Sequence, residues 1–227
     1  SDASILVRVP RFLYSCKTAT YYFNKAEKQY AQGEFAYAVE NYKQAEGKGA
    51  DSKECNFKIA ESLRQSNQLA ESGEFYKKAI DAGTPHEKSH YYYGLSLKSQ
   101  GDYKGASDYL KNYTKTGSNR AIIKRAKFEY QKIDQIENIP DSRVKYKVQN
   151  FDALNSDGDD YGVTFMGNKL VFASSRGESK TYGGTGNGFS DLYTFTYDDA
   201  GNKTSGFVKE LEGGNLINQD FTHEAEA

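Results

Sequence analysis

Between residues 19 and 139 the apolar positions return every three or four residues, the spacing that gathers them on one face of a helix. After Pro140 they alternate with polar residues instead, as half-buried strands do. The first region also repeats as a block. "QGEFAYAVENYKQA" begins at 32, "SNQLAESGEFYKKA" at 66 and "QGDYKGASDYLKNY" at 100, a gapless offset of 34 residues. Gly33, Asn67 and Gly101 hold a turn position, where Gly or Asn most easily enters left-handed backbone. Aligned beyond them stand Phe35, Leu69 and Tyr103, then Ala38, Ser72 and Ala106, then Tyr42, Tyr76 and Leu110, then Ala45, Ala79 and Tyr113.

A block of this length with small and aromatic residues at fixed places is the signature of tetratricopeptide repeats, each a helix A, a turn and a helix B. The small residues let two helices approach, and the aromatics fill the gaps between blocks. The register sets the blocks at 19–52, 53–86 and 87–120, after an N-terminal segment 1–18. A stack of repeats leaves an apolar end that a solvating helix closes. The stretch 119–138 predicts that helix, with Ile122, Ile123, Ala126, Phe128, Tyr130 and Ile133 covering one side.

Beyond Pro140, "VKYKV" (144–148), "YGVTF" (161–165), "KLVFAS" (169–174), "DLYTFTY" (191–197) and "FVKEL" (207–211) read as strands. "ALNSDGDDYGVTF" at 153 is echoed by "LINQDFTHEAEA" at 216, with Leu154-Asn155 against Ile217-Asn218 and Asp160-Tyr161 against Asp220-Phe221. A tandem four-stranded unit predicts a propeller blade, so residues 141–227 are expected to start a β-propeller: its first blade and the beginning of a second. The propeller is expected to continue beyond Ala227, because one blade cannot bury both faces. The predicted class is therefore α+β and multidomain: a helical tetratricopeptide solenoid followed by an antiparallel propeller.

Composition sharpens this division. The chain has 227 residues and a formal net charge of -1, with 19 Tyr and no Trp. Residues 1–140 carry 22 Lys/Arg against 17 Asp/Glu, and residues 141–227 carry 8 against 14, so the charge changes sign where the period changes. Neither part is basic enough to make nucleic acid the expected partner. No run of residues is apolar enough for a membrane span. "LYSC" resembles a bacterial lipobox, which would make Cys16 a lipidation site; the residues themselves favour an ordinary thiol, and a disulfide with Cys55 stays open.

Repeats at 19–120 running into "NSDGDDYG" (155–162), "LVFASSR" (170–176), "SDLYTF" (190–195) and "NQDFTHE" (218–224) resemble a group of Bacteroidetes envelope proteins. That group joins helical repeats, a propeller and a C-terminal OmpA-like peptidoglycan-binding domain, and it is associated with type IX secretion and gliding. The resemblance implies a periplasmic, outer-membrane-associated lipoprotein scaffold that connects a secretion or barrel component to the cell wall. Peptidoglycan would be held only through the OmpA-like domain, which this sequence does not contain.

Candidate chemistry is sparse. "HEKSH" (86–90) matches the zinc-protease pattern, in which two His on a helix bind the metal and Glu acts as base. In the repeat register His86 falls before helix A and His90 takes a packing position, leaving them weak metal candidates and a zinc hydrolase the less favoured alternative. "YGGTGNG" (182–188) lacks the Lys-Ser/Thr of a phosphate loop and reads as a flexible loop. "NSDGDD" (155–160) has the oxygens of a calcium loop without its Gly and bidentate Glu. The expectation is no catalytic residue, no cofactor and no enzyme. The better site is the groove that A helices line in such arrays. Its candidates are the column Phe23, Phe57 and Tyr91, with Glu27 and Glu61, and Tyr30, Arg64 and Lys98. Rings would supply burial and charges would fix the register of a bound protein segment. A carboxylate-clamp function is disfavoured, because Phe23 and Glu27 occupy two of the positions such clamps need. A third reading makes the propeller a sensor of a glycan or small ligand.

Overall fold

The computed structural model describes residues 17–136, 150–177, 180–196, 208–211, 213, 217–219, 222 and 223. Seven helices come first: α1 (Ala19–Ala31), α2 (Phe35–Gly47), α3 (Ser52–Gln65), α4 (Leu69–Asp81), α5 (Lys88–Ser99), α6 (Tyr103–Thr116) and α7 (Arg120–Ile136). Each packs chiefly on its neighbours in sequence, so the first six form three helix pairs stacked in order. None of the described helices is long and apolar enough to cross a membrane.

The turns inside the pairs explain the repeat spacing. Gly33, Asn67 and Gly101 take φ of 78°, 62° and 82°, the left-handed conformation that lets a three-residue turn lead from helix A to helix B in each pair. Asn67 is the sole non-Gly residue with positive φ among those described. The small positions are buried because backbones meet there: Ala26, Ala38, Ala60 and Ala106 are fully buried. Tyr42, Tyr76 and Leu110 fill the space beside them, also fully buried. Three apolar clusters follow one another along the stack, centred on Tyr42, on Phe57 with Tyr76, and on Leu110 with Ile133.

α7 buries Ala126 and Ile133 and packs Ile122, Ile123 and Tyr130 against the last cluster. Phe128 corrects the expected face. It lies six residues beyond Ile122, off the stripe set by the 3.6-residue turn, and is 58% exposed.

The second region holds β1 (Asp160–Met166), β2 (Lys169–Ser174), β3 (Asp191–Thr196) and β4 (Lys209–Glu210), in one antiparallel sheet of order β1-β2-β3-β4. Leu170, Phe172, Tyr193 and Phe195 form its core with Leu154, and Phe151 and Val208 lie against them. β1 is bulged between Tyr161 and Thr164. The expected strand at 144–148 and most of the second copy from 216 lie outside the described residues, as does Cys16. Cys55 is a buried free thiol whose pKa burial pushes up to about 12.

Candidate partner-binding groove

The A helices α1, α3 and α5, followed by α7, stand side by side, and side chains tie each to the next. Lys58 of α3 reaches Glu27 of α1 at 2.7 Å, Lys88 of α5 reaches Glu61 of α3 at 2.7 Å, and Lys98 of α5 reaches Glu129 of α7 at 2.8 Å. Rings add to this ladder: the Lys58 ammonium lies 5.8 Å from the Tyr30 ring, and the Arg64 guanidinium 4.4 Å from Tyr92. The candidate residues therefore share one row, but they differ in what they offer a partner.

The aromatic column is mostly packing. Phe57 is 4% exposed, with its ring stacked on His86 at 3.7 Å, and Tyr91 is 7% exposed. Phe23 is half-buried and meets the Tyr42 ring edge-on at 5.4 Å. These rings sit where adjacent pairs close, so helix contact rather than solvent takes their surface. Tyr30, Arg64 and Lys98 are partly exposed and remain accessible along the row.

The two glutamates do more for the fold than their sequence position suggests. Tyr42 donates its hydroxyl to Glu27, and Tyr76 donates to Glu61, the same pairing one block apart. Glu61 is 3% exposed and also accepts from Arg64 (Nε at 3.3 Å, Nη2 at 3.2 Å) and from Lys88. Burial alone would raise its pKa; the bonds from Arg64, Lys88 and Tyr76 outweigh that and hold it below the usual carboxylate value. Glu27 behaves likewise, through Lys58 and Tyr42. In the third block the equivalent pair is Leu95 and Leu110, so the polar device is absent there. Sequence spacing located these residues, but the Tyr–Glu bonds became visible only when Tyr42 and Tyr76 were placed beneath the A helices.

The two histidines of HEKSH turn to different partners. His86 Nε2 lies 2.9 Å from Glu54, whereas His90 Nδ1 lies 3.0 Å from the Tyr109 hydroxyl, its ring parallel to Tyr109 and Tyr113. Burial lowers the His90 pKa. Among the described residues no three His, Cys, Asp or Glu side chains cluster as a metal site.

In the sheet, Asp160 accepts from Ser174 at 2.6 Å and from Arg176 at 2.7 Å, so this carboxylate of "NSDGDD" is committed to protein donors. Asn155, Ser156, Asp157, Ser175, Arg176 and Asn187 line an open polar cavity of about 580 Å³. Ser190 N donates to His223 Nδ1 at 3.1 Å, and the Asn218 side chain bonds both the N–H and C=O of Leu192.

The glycine-rich stretch departs from its sequence reading as a flexible loop. It turns back on itself, with Tyr182 N bonded to Asn187 O at 2.7 Å and Gly186 N to Tyr182 O at 2.8 Å. It then docks on the repeats. Gly183 O accepts from Ala36 N at 3.0 Å, Thr185 O from Gln68 Nε2 at 3.2 Å, and Thr181 O from the Tyr37 hydroxyl at 3.4 Å. The reason lies at the helix starts. Asp102 caps α6 by accepting from Gly105 N, whereas Glu34 and Gln68 give α2 and α4 no side-chain cap. The loop carbonyls meet polar groups at those two uncapped ends.

No family model and no curated protein matches the chain. Among solved structures, it is similar to the first tetratricopeptide domain of Spaghetti (RPAP3) bound to the HSP90 peptide SRMEEVD, at 16% identity and a TM-score of 0.46, covering 54% of this chain and 94% of that one. It is similar also to the Sgt2 tetratricopeptide domain from Aspergillus fumigatus, at 17% identity and a TM-score of 0.46, covering 59% and 89%. The 34-residue helix spacing and the left-handed turns, rather than these distant likenesses, carry the repeat assignment. The described helices form three tetratricopeptide-type pairs with a seventh helix on the end.

Proposed function

We propose that this chain is a non-enzymatic protein-binding scaffold of a bacterial cell envelope. The carrying observation is the unbroken A-helix row from α1 to α7, knit by cross-helix ion pairs into one surface on which Tyr30, Arg64 and Lys98 stay accessible. A row of this kind suits an extended segment of a partner: exposed stems and rings supply contact area, and charges set its register. The sheet, bonded to α2 and α4 through the loop, supplies a second surface in a fixed relation to the first.

The finer reading follows the sequence resemblance to the PorE type of envelope protein. In it the sheet is the first blade of a propeller, Cys16 is a lipidation site, and the protein works at the periplasmic side of the outer membrane. Its partners are secretion or barrel components of a type IX or gliding machine, which it links to the cell wall; peptidoglycan is held by a domain outside this sequence.

The test is crosslinking in native envelopes, followed by capture of the full chain beside a Tyr30→Ala/Lys98→Glu variant. These positions are preferable to Phe57 and Tyr91, whose burial makes their replacement a folding defect. Outer-membrane barrel or secretion components are expected with the wild type, and at least one is lost from the variant. Identical companions for both would remove the row as the binding surface. The polar cavity at Asn155–Arg176 favours a second reading, a sensor of a polar ligand such as a glycan. A thermal shift with cell-wall fragments that Asn187→Ala abolishes would support it.

A further inference from the structure

The block register gives α7 a defined place. Blocks open at 19, 53 and 87, so the next would open at 121, and α7 (Arg120–Ile136) stands where helix A of a fourth block would stand. In the three complete pairs, the eighth position of helix A is Ala26, Ala60 or Gly94, all buried, because helix B closes on it. A Cβ at Gly94 would lie 2.6 Å from Leu110 Cδ2 of α6. The fourth and eleventh positions face the same way: His90 meets Tyr109 of α6 at 3.0 Å, and Gln29 accepts from Asn41 of α2 at 2.7 Å. The seventh does too, since Tyr93 packs edge-on against Tyr109 at 4.8 Å.

On α7 these four positions are Lys124, Lys127, Phe128 and Gln131, all exposed. At the eighth position a buried small residue gives way to an exposed ring, and at the fourth Tyr22, Asn56 or His90 gives way to Lys124; Lys127 and Gln131 match Lys25 and Gln29 of the first block, where Gln29 bonds α2. Polar residues there suit a terminus in water; a phenylalanine 58% exposed in their midst does not. Lys124, Lys127 and Lys132 make no ion pair among the described residues, and the Lys132 ammonium lies 5.4 Å from the Phe128 ring.

We propose that this face of α7 docks an acidic amphipathic helix of a partner protein. The face has the geometry of helix–helix contact, because it is the contact face in every other block. Phe128 keeps a helix from approaching as closely as α6 approaches Gly94, so the occupant carries a small residue opposite the ring. The unpaired lysines select carboxylates on either side of that residue, and they oppose pairing of two α7 helices from two copies. This surface differs from the row at Tyr30 and Lys98, so the two sets of variants succeed or fail independently.

The probe is a fluorescent peptide of about 20 residues, long enough to hold a helix, with Glu along one stripe and Ala at its centre. Binding to the full chain is read by anisotropy, with far-UV circular dichroism showing that each variant folds. Binding is expected to weaken as salt rises, to fall about tenfold in Phe128→Ser, and to vanish in Lys124→Glu/Lys127→Glu. Lys104→Glu, an exposed cation on α6, should bind as the wild type does. Equal binding by all variants would overturn the proposal. So would an absence of peptide binding while phosphatidylglycerol vesicles or duplex DNA bind through the same lysines.

Discussion

Replacing Glu61 by leucine isolates what the Tyr–Glu pairing contributes. The substitution leaves the hydroxyl of fully buried Tyr76 without its acceptor, a penalty of about 1–3 kcal/mol, and removes a hydrogen bond to a charged acceptor worth about 1.5–3 kcal/mol. Arg64 and Lys88 lose the same carboxylate, but their side chains are 22% and 42% exposed and turn to water, so each ion pair counts for about 0–1 kcal/mol. Leucine recovers roughly 1–2 kcal/mol by apolar burial, leaving a net loss near 3 kcal/mol, or roughly 6–12 °C in Tm for a chain of this size. Adding Tyr76→Phe removes the orphaned hydroxyl and keeps the ring, so it should restore about 1–2 kcal/mol to the Glu61→Leu protein. The third block, with Leu95 and Leu110 at the same positions, is the natural precedent. Urea and thermal unfolding followed by helical circular dichroism supply the four corners of the double-mutant cycle. If Tyr76→Phe lowers stability equally with Glu61 present or absent, the hydroxyl and carboxylate are uncoupled and the reasoning fails. Acid should act through the same group. The folded-state pKa of Glu61 lies below its ordinary 4.5, so its contribution is whole above that pH and is lost as pH falls through the folded value.

His90 has a folded-state pKa lowered from 6.5 by burial against Tyr109 and Tyr113, with Glu87 opposing the shift. Stability should therefore be whole above the unfolded value of 6.5, erode as pH falls through it and level off below the folded value; His90→Phe should flatten the change in urea midpoint between about pH 7.5 and 5.5. Gly186 has φ of +87° and lies where a Cβ would come within 3.1 Å of the Ala36 Cβ. Gly186→Val should strain the docked loop by about 1–3 kcal/mol, seen as lost hydrogen-exchange protection at the Ala36 amide while the centre of α2 stays protected.

The helical part was legible because two independent signals agree in it. The 34-residue offset fixed which residues are equivalent, and Gly33, Asn67 and Gly101 fixed where the backbone turns; the structure gives all three a positive φ. Alternation located β1, β2 and β3 just as directly. Burial of polar groups was not legible. Glu61 occupies a position that a groove would use, and only the approach of Tyr76 and Lys88 from other helices shows why a carboxylate lies 3% exposed there. Phe128 was placed on the packed side because it is apolar, although six residues from Ile122 is a poor helical match. The docking of "YGGTGNG" could not be read at all, because its bonds run from backbone carbonyls to the starts of helices far away in sequence.

That docking has a consequence for the order of assembly. Contacts within the helical stack join neighbouring elements, so they can form as soon as adjacent helices exist. The Tyr37–Thr181 and Gln68–Thr185 bonds span 144 and 117 residues, which makes them the late contacts. They require the sheet's loop and the first four helices to be in place already. Chain connection keeps that closure inexpensive, since the entropy of closing a loop grows only with the logarithm of its length. Cleavage between residues 137 and 149 would turn the same contact into an encounter of two molecules. The clasp would then depend on protein concentration, and dilution would release the sheet from helices that remain folded.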